Sequence, residues 1–203
     1  MTVTEYLLKR HKVHPLDLPP IILAGSRWNY LPMLLRDVLG AKVGAEVGVQ
    51  KGMFSERLCR TMPGLRLYAI DPWTPAGYYA GRYSQRRMDG WRANTERVLA
   101  PYDATIIADY SANAVAQFAD GALDFVFIDA DHSYDRALED LRLWTPKVRA
   151  GGVVCGHDYH NSADPLRCRV RDAVDQWTKK QGISMWFVMA GREHKAFYLW
   201  ERP

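Results

Sequence analysis

The sequence predicts a doubly wound α/β fold whose mostly parallel, seven-stranded sheet ends in an antiparallel hairpin strand. Three observations predict it. Short apolar runs alternate with amphipathic stretches along most of the 203 residues, the pattern of a parallel sheet with helices on both faces. The apolar run ending at Val47 leads into a glycine loop that opens a helix, and the next apolar run ends at Asp71. The last two runs, 184–189 and 195–200, flank Ala190-Gly191-Arg192-Glu193-His194, a hairpin rather than another crossover.

Taken in order, residues 1–39 make an N-terminal extension expected to be helical, broken by Pro15, Pro19 and Pro20. Residues 42–47 form the first strand and 52–61 the helix after the glycine loop. Residues 65–70 are the second strand, 83–99 a helix, 102–108 the third strand and 112–118 a short helix. Leu123-Asp124-Phe125-Val126-Phe127-Ile128 is the plainest strand, bulky and β-rich, and it stops at Asp129. Residues 134–148 follow as an amphipathic helix with Ala137, Leu138, Leu141 and Trp144 on one face. Residues 151–156 are the fifth strand and 166–180 the last helix. No repeat, low-complexity tract or linker interrupts the chain, so one domain spanning 1–203 is expected.

Composition narrows the class. With 48% hydrophobic residues, a chain of this length can bury one large core. No apolar run approaches the ~20 residues needed to cross a bilayer, so no membrane partner is expected. Residues 1–12 lack a continuous apolar core and a small-residue cleavage site, so no signal peptide is expected. Cys59, Cys155 and Cys168 are odd in number and show no C-x-x-C spacing. That argues against structural zinc and a disulfide framework, and makes a reducing cytoplasm the expected compartment. The formal net charge is +4, but Lys and Arg are spread along the chain. Only 82–87 and 167–171 cluster, in the manner of solvated helix faces, which argues against a nucleic-acid partner. Self-association stays open.

Two constellations carry chemistry. The first is Ala45-Glu46-Val47-Gly48-Val49-Gln50-Lys51-Gly52-Met53-Phe54-Ser55, followed by Ile70-Asp71-Pro72-Trp73. A glycine loop lets the backbone approach a ligand, and a carboxylate at the end of the next strand receives ribose hydroxyls. The glycines stand four apart, unlike the dinucleotide fingerprint G-x-G-x-x-G. Glu46-x-Gly48-x-x-x-Gly52 resembles the first motif of class I S-adenosylmethionine (SAM) methyltransferases, whose Rossmann-like sheet also ends in an antiparallel strand. The resemblance implies SAM as cofactor. Glu46 would face the amino end of the methionine moiety, Gly48 and Gly52 would let the loop pass close, and Asp71 would accept the ribose hydroxyls. Trp73 would cover the adenosine, and Asp109 with Ser111 would meet the adenine. Ser55 serves either packing or contact, and Ser111 either contact or helix capping.

The second constellation lies where open α/β sheets bind ligands, at the carboxyl ends of the fourth and fifth strands. It comprises Asp129-Ala130-Asp131-His132-Ser133-Tyr134 and Gly156-His157-Asp158-Tyr159-His160. A single helix cap would not need so many carboxylates and imidazoles together. With the glycine-rich fifth strand, these segments resemble the macrocin and cephalosporin-hydroxylase type of small-molecule O-methyltransferase, and more distantly the catechol and caffeoyl-CoA O-methyltransferases. That resemblance covers roughly 43–177. It implies a small-molecule hydroxyl acceptor and Asp129 at the cofactor. It also implies Mg²⁺ or another divalent cation held by Asp129 and Asp158, with His157 as third ligand. His157 stands where relatives often carry a carboxylate, and an imidazole suits Mn²⁺, Fe²⁺ or Zn²⁺ better than Mg²⁺.

Methyl transfer from a sulfonium is an in-line displacement, so orientation supplies much of the rate. A hydroxyl nucleophile must also lose its proton, to a base or beside a metal. His132, three residues after Asp129, is the candidate base, since an imidazole titrates near ~6.5; His157 and His160 compete for that role. The aromatic segment 72–83, with Tyr78, Tyr79 and Arg82, suits a lid over a small acceptor. The Asn/Asp-Pro-Pro-Tyr signature of many N-methyltransferases is missing, although an RNA ribose hydroxyl or another N-methyl acceptor remains an alternative. A nicotinamide enzyme and a non-catalytic SAM-binding module are the rival classes.

Overall fold

The structure is a computed structural model, which describes residues 1–14, 17–76, 80–164, 168–191 and 195–203. The chain runs α1 (Val3–His11), β1 (Ile21–Ala24), α2 (Tyr30–Leu34, continued by a π turn over Leu35–Leu39), β2 (Val43–Val47) and α3 (Met53–Thr61). It continues through β3 (Arg66–Ile70), α4 (Gln85–Leu99), β4 (Ala104–Ile107), the single turn α5 (Ser111–Ala114), β5 (Leu123–Ile128) and α6 (Tyr134–Trp144). Last come β6 (Val148–Gly156), α7 (Val170–Lys180), β7 (Phe187–Ala190) and β8 (Phe197–Glu201). All strands join one sheet of order β1-β7-β8-β6-β5-β2-β3-β4. Only β8 runs antiparallel, pairing with β6 on one side and β7 on the other. The expected hairpin strand is present; residues 192–194 of its turn lie outside the described residues.

The sheet holds eight strands rather than the seven expected, and the extension 1–39 is not simply helical. Ile21–Ala24 pairs in parallel with β7, burying Ile21 and Leu23 while Ile22 and Ala24 face outward. Four apolar residues behind the Pro19-Pro20 pair are too few to show a strand period; pairing with β7 supplies what the local sequence does not. The sixth helix is also shorter than the span 134–148. Pro146 cannot donate within an α-helix, so α6 gives way to a 3-10 turn over Thr145–Lys147 and β6 starts at Val148. The last helix begins at Val170, with 166 and 167 of its predicted start outside the described residues.

The period-2 alternation of the strands divides the core into two layers. Phe125 and Phe127 of β5 face α1 to α4, packing with Leu7, Leu31, Phe54 and Leu58. Val126 and Ile128 face the other way, toward Leu141 and Trp144 of α6 and Val174 and Trp177 of α7. Asp124, at the amino end of β5, ties three strands together. Its carboxylate accepts from the amides of Lys42 and Val43 at 2.7 and 2.9 Å and from Arg149 Nε at 2.7 Å. Phe127 is fully buried, with its ring 4.5 Å from that of Phe54 on α3. Phe127→Ala should therefore lower the free energy of unfolding by about 3–5 kcal/mol; urea denaturation that finds a loss under 1 kcal/mol would refute this packing.

Candidate active site

Strand register builds the site. Val47 lies beside Ile70 on β3 and Ile128 on β5; Ile128 lies beside Gly156 on β6, and Ile70 beside Ile107 on β4. The residues just past this row, Gly48, Asp71, Asp129 and His157, therefore emerge at one level along the carboxyl edge. Strand order reverses between β2 and β5, and a crevice opens at that reversal. The crevice is a cavity of about 490 Å³ that includes Gly48, Asp71, Asp109, Ser111, Asp129 and Asp140 in its lining.

Asp71 holds the glycine loop. Its Oδ2 accepts from the amides of Val49 at 3.1 Å and Gln50 at 2.9 Å, and its Oδ1 from the amide of Trp73 at 2.8 Å. A carboxylate offers about four acceptor positions, so one stays open for a ligand hydroxyl. Burial raises the pKa of Asp71, and the backbone donors pull the other way. Gly48 has φ +94°, and a Cβ there would sit 2.2 Å from the carbonyl oxygen of Asp129. Glycine is thus demanded by the close approach of β2 and β5 as well as by any ligand. Gly52 has φ +75° and abuts Thr95 of α4; it caps α3 behind the cavity rather than lining it.

The other cofactor candidates divide. Glu46 is buried under α3 and outside the cavity lining, where it accepts from the hydroxyl of Ser55. Ser55 is therefore packing for the loop. Burial, partly offset by that hydrogen bond, pushes the Glu46 carboxyl up to about 8. Trp73, expected over the adenosine, is instead buried in the α3/α4 layer, with its Nε1 donating to the Gln50 carbonyl at 2.7 Å. Its φ of +44° turns the chain inward after Pro72, and the indole finds more apolar contact there than in the open crevice. Asp109 lines the cavity and accepts from the Tyr110 amide and Asn113 Nδ2. Ser111 opens α5, donating to Asp140 while accepting from Trp144 Nε1 at 2.8 Å. Of the proposed lid, Tyr78 and Tyr79 lie outside the described residues.

Beside the crevice, the carboxylates and imidazoles of the second constellation converge around Asp129, which lines the cavity, while His132, His157 and Asp158 lie outside its lining. His132 Nε2 lies 3.2 Å from Asp129 Oδ1 and 3.3 Å from Asp158 Oδ2. His157 Nδ1 lies 3.1 Å from Asp158 Oδ2 and 3.8 Å from Asp129 Oδ1. His160 Nδ1 is 3.6 Å from Asp158 Oδ1, at the periphery. Ligating atoms of Asp129, His132 and Asp158 fall within 4.8 Å of one another, and His157, the expected third ligand, also lies within 3.8 Å of both carboxylates. The donor chemistry fits a divalent cation that accepts nitrogen, such as Mn²⁺, Fe²⁺ or Zn²⁺.

Two basic residues that carry no motif complete the cluster. Arg27, from the turn between β1 and α2, pairs with Asp129 Oδ2 at 2.7 Å, and Lys195, just before β8, with Asp158 Oδ1 at 2.5 Å. Each carboxylate thus has one oxygen neutralised from outside and one turned toward the imidazoles. Burial opposes the charge on Asp158, but the His157 hydrogen bond, the two imidazoles and Lys195 outweigh it and hold its carboxyl well below the usual carboxylate range. Burial likewise opposes the charge on His132, yet its bond to Asp129 and the two carboxylate charges win, and its pKa is raised. Asp158 has φ +55°, a left-handed conformation that Asp tolerates. Asp140, not singled out from the sequence, does carry a signal: it is a carboxylate beside the apolar stripe of Ala137, Leu141 and Trp144. Arg27 and Lys195 had no sequence signal, since only the fold brings them here.

These features define the class of protein. Residues 45–159, more than half of the chain, match the family model described as "Methyltransferase domain". The chain belongs to that family, and its fold is that of the class I SAM-dependent methyltransferases. Among solved structures it resembles a putative caffeoyl-CoA O-methyltransferase from Staphylococcus aureus (15% identity, 98% of this chain and 90% of that one, TM-score 0.64). It also resembles an O-methyltransferase from Bacillus cereus in complex with S-adenosylhomocysteine (17%, 97% and 89%, 0.62). A third is the O-methyltransferase TomG from Streptomyces achromogenes in complex with SAM (16%, 97% and 87%, 0.62). No curated protein sequence matches the chain. No described helix is long and apolar enough to cross a membrane.

Glu46 makes a pH-dependent contribution of defined sign. Its carboxyl titrates near 4.5 when exposed and near 8 in the fold. Between those values the folded state holds a proton that the unfolded state has lost, so stability falls as pH rises through this window. Glu46→Gln should flatten that fall, by a few kcal/mol in order of magnitude. Chemical denaturation at pH 5 and pH 8 checks it, and equal pH slopes for wild type and variant would refute it.

Proposed function

We propose that this protein transfers the methyl group of SAM to a hydroxyl of a small molecule. The observation that carries the reading is that one crevice runs from the Asp71-tethered glycine loop to Asp129, whose carboxylate is shared with the imidazole of His132 outside the lining. The bound O-methyltransferases among its structural neighbours support the same donor. SAM supplies an electrophilic methyl on a positively charged sulfur. Gly48 gives the loop its close approach, and the open acceptor position of Asp71 takes a ribose hydroxyl. Asp129, at the level of Gly48, bounds the methionine end.

The acceptor end is where the proton must go. His132 Nε2 sits between Asp129 Oδ1 and Asp158 Oδ2, so an imidazolium formed there is stabilised on both sides. We assign His132 as the base that takes the acceptor's proton, with the two carboxylates holding its ring and Arg27 and Lys195 balancing their charge. A hydroxyl held at this point would keep its orientation toward the methyl group.

A second reading has a specific observation behind it, the triad of ligating atoms within 4.8 Å. Asp129, Asp158 and His132 would hold a divalent cation, whose chemistry there would be to lower the pKa of the acceptor hydroxyl. His132 would then be a ligand, and His157 the remaining imidazole for the proton.

Two measurements test these readings. Calorimetry should detect SAM and S-adenosylhomocysteine but not NAD. Asp71→Ala should weaken the first two by about 1.5–3 kcal/mol for each charge-assisted hydrogen bond lost. Binding of NAD alone would overturn the donor assignment. Titration with Mn²⁺, repeated on Asp158→Asn, separates the two versions of the acceptor end. Heat in the wild type that disappears in the variant establishes the cation; silence in both leaves His132 as the base.

A further inference from the structure

Helices α6 and α7 each return the chain from the carboxyl edge of the sheet to its amino edge, so they lie side by side and parallel. A groove of about 340 Å³ runs between them. Trp177 is the one buried residue of its lining, 8% exposed, and its indole Nε1 has no hydrogen-bond partner among the described residues. A buried donor seldom stays unpaired, and the groove is the open space beside this one. Next to it Gln176 accepts the Tyr134 hydroxyl through Oε1, which leaves its amide nitrogen as a donor.

The charges along the groove are unevenly matched. Arg136 is engaged with Glu139 at 2.7 Å, and Asp135 stands in the first turn of α6. Arg142 and Lys180 lie in the last turns of the two helices and form no ion pair among the described residues. Helix ends favour cations, but two full charges exceed the roughly half-unit negative ends that they meet. The far part of the groove thus offers an indole N–H, an amide, a guanidinium and an ammonium without a protein acceptor. We propose that it binds a phosphate-type oxyanion, one oxygen accepting from Trp177 Nε1 and others from Arg142 and Lys180, with the Gln176 amide beside them. Two neutral and two charged donors suit a tetrahedral anion, and a guanidinium makes paired bonds to phosphate oxygens. Asp135 and Glu139 repel a second negative group at the other end. The ligand therefore carries its charge at one end only: free phosphate, or a small phosphoester whose neutral body lies along Leu138. None of the four donors lines the cofactor crevice, so the proposal stands apart from the SAM reading.

Calorimetry on the full chain at low ionic strength would titrate inorganic phosphate and then glycerol 3-phosphate, and one saturable site is expected. Trp177→Phe keeps a ring and removes the N–H; it should weaken binding about tenfold, as should Arg142→Gln combined with Lys180→Gln. Lys179→Gln, in the same turn of α7 but outside the groove, should change it by less than about twofold. In a proton–nitrogen NMR spectrum the Trp177 indole signal, assigned by its loss in Trp177→Phe, should shift and saturate as phosphate is added. Tighter binding of glycerol 3-phosphate marks the ligand as a phosphoester and equal binding marks it as free phosphate; both support the site. No heat with either probe in the wild type would overturn it, as would a Trp177 signal that stays in place while phosphate binds. Equal losses in Lys179→Gln and in the Arg142/Lys180 double variant would mean an adventitious ion only, and would overturn it as well.

Discussion

The carboxylate of Asp71 is the interaction on which the rest of the site depends. Three backbone amides converge on it, two from the glycine loop after β2 and one from the turn after β3. Without that acceptor, the buried amides of Val49 and Gln50 would lack a partner, and burying an unpaired amide costs about 1–3 kcal/mol. Once Asp71 is in place, the chain after it turns inward, Trp73 drops into the core, and its indole N–H closes on the Gln50 carbonyl. The loop is thereby clamped from both sides before any ligand arrives, which lowers the ordering cost of binding.

The carboxyl groups of the crevice are separated by environment rather than by type. Glu46, Asp71 and Asp140 are each raised by burial, while Asp158, buried almost as deeply, is held low by the imidazoles and Lys195. Opposite displacements of this kind distinguish groups that receive neutral donors from groups that stabilise positive charge. The side of the crevice at Asp71 and Asp140 thus holds neutral or hydrogen-bonded acids, and the cluster beside Asp129 a balanced set of fixed charges. In the proposed reaction positive charge moves from sulfur toward the acceptor, and the reading places the second environment where that charge is relieved.

Residues outside the family's matched span finish the cluster at Asp129 and Asp158. Arg27 comes from the loop that follows β1, and Lys195 from the approach to β8. Both depend on the edge of the sheet where β1, β7 and β8 meet, and the pairing of β1 with β7 anchors the segment that carries Arg27. The N-terminal extension is therefore part of the site, with Arg27 stacked against the rings of Trp28 and Phe54 as it reaches Asp129.

Local sequence was enough for whatever depends on short-range pattern. The alternation of apolar runs gave away the layered sheet, and the positions of Gly48, Asp71, Asp129 and Asp158 at strand ends gave away the edge that carries the site. Strand ends in a parallel sheet come to one level whatever lies between them, so carboxylates there can be assigned before any contact is known. The sequence did not reveal where side chains turn after leaving the edge. Trp73 went to the core and Glu46 beneath α3, because burial elsewhere outweighed contact with the crevice. Nor did it reveal β1, whose four residues become a strand only against β7, or that His132 would join His157 against the two carboxylates. Arg27 and Lys195 stand more than 160 residues apart, and long-range packing alone sets them against Asp129 and Asp158. Pattern and spacing determined the fold and its ligand edge; the partner of each charge was decided by tertiary structure, because a charge is paired by distance in space and not by distance along the chain.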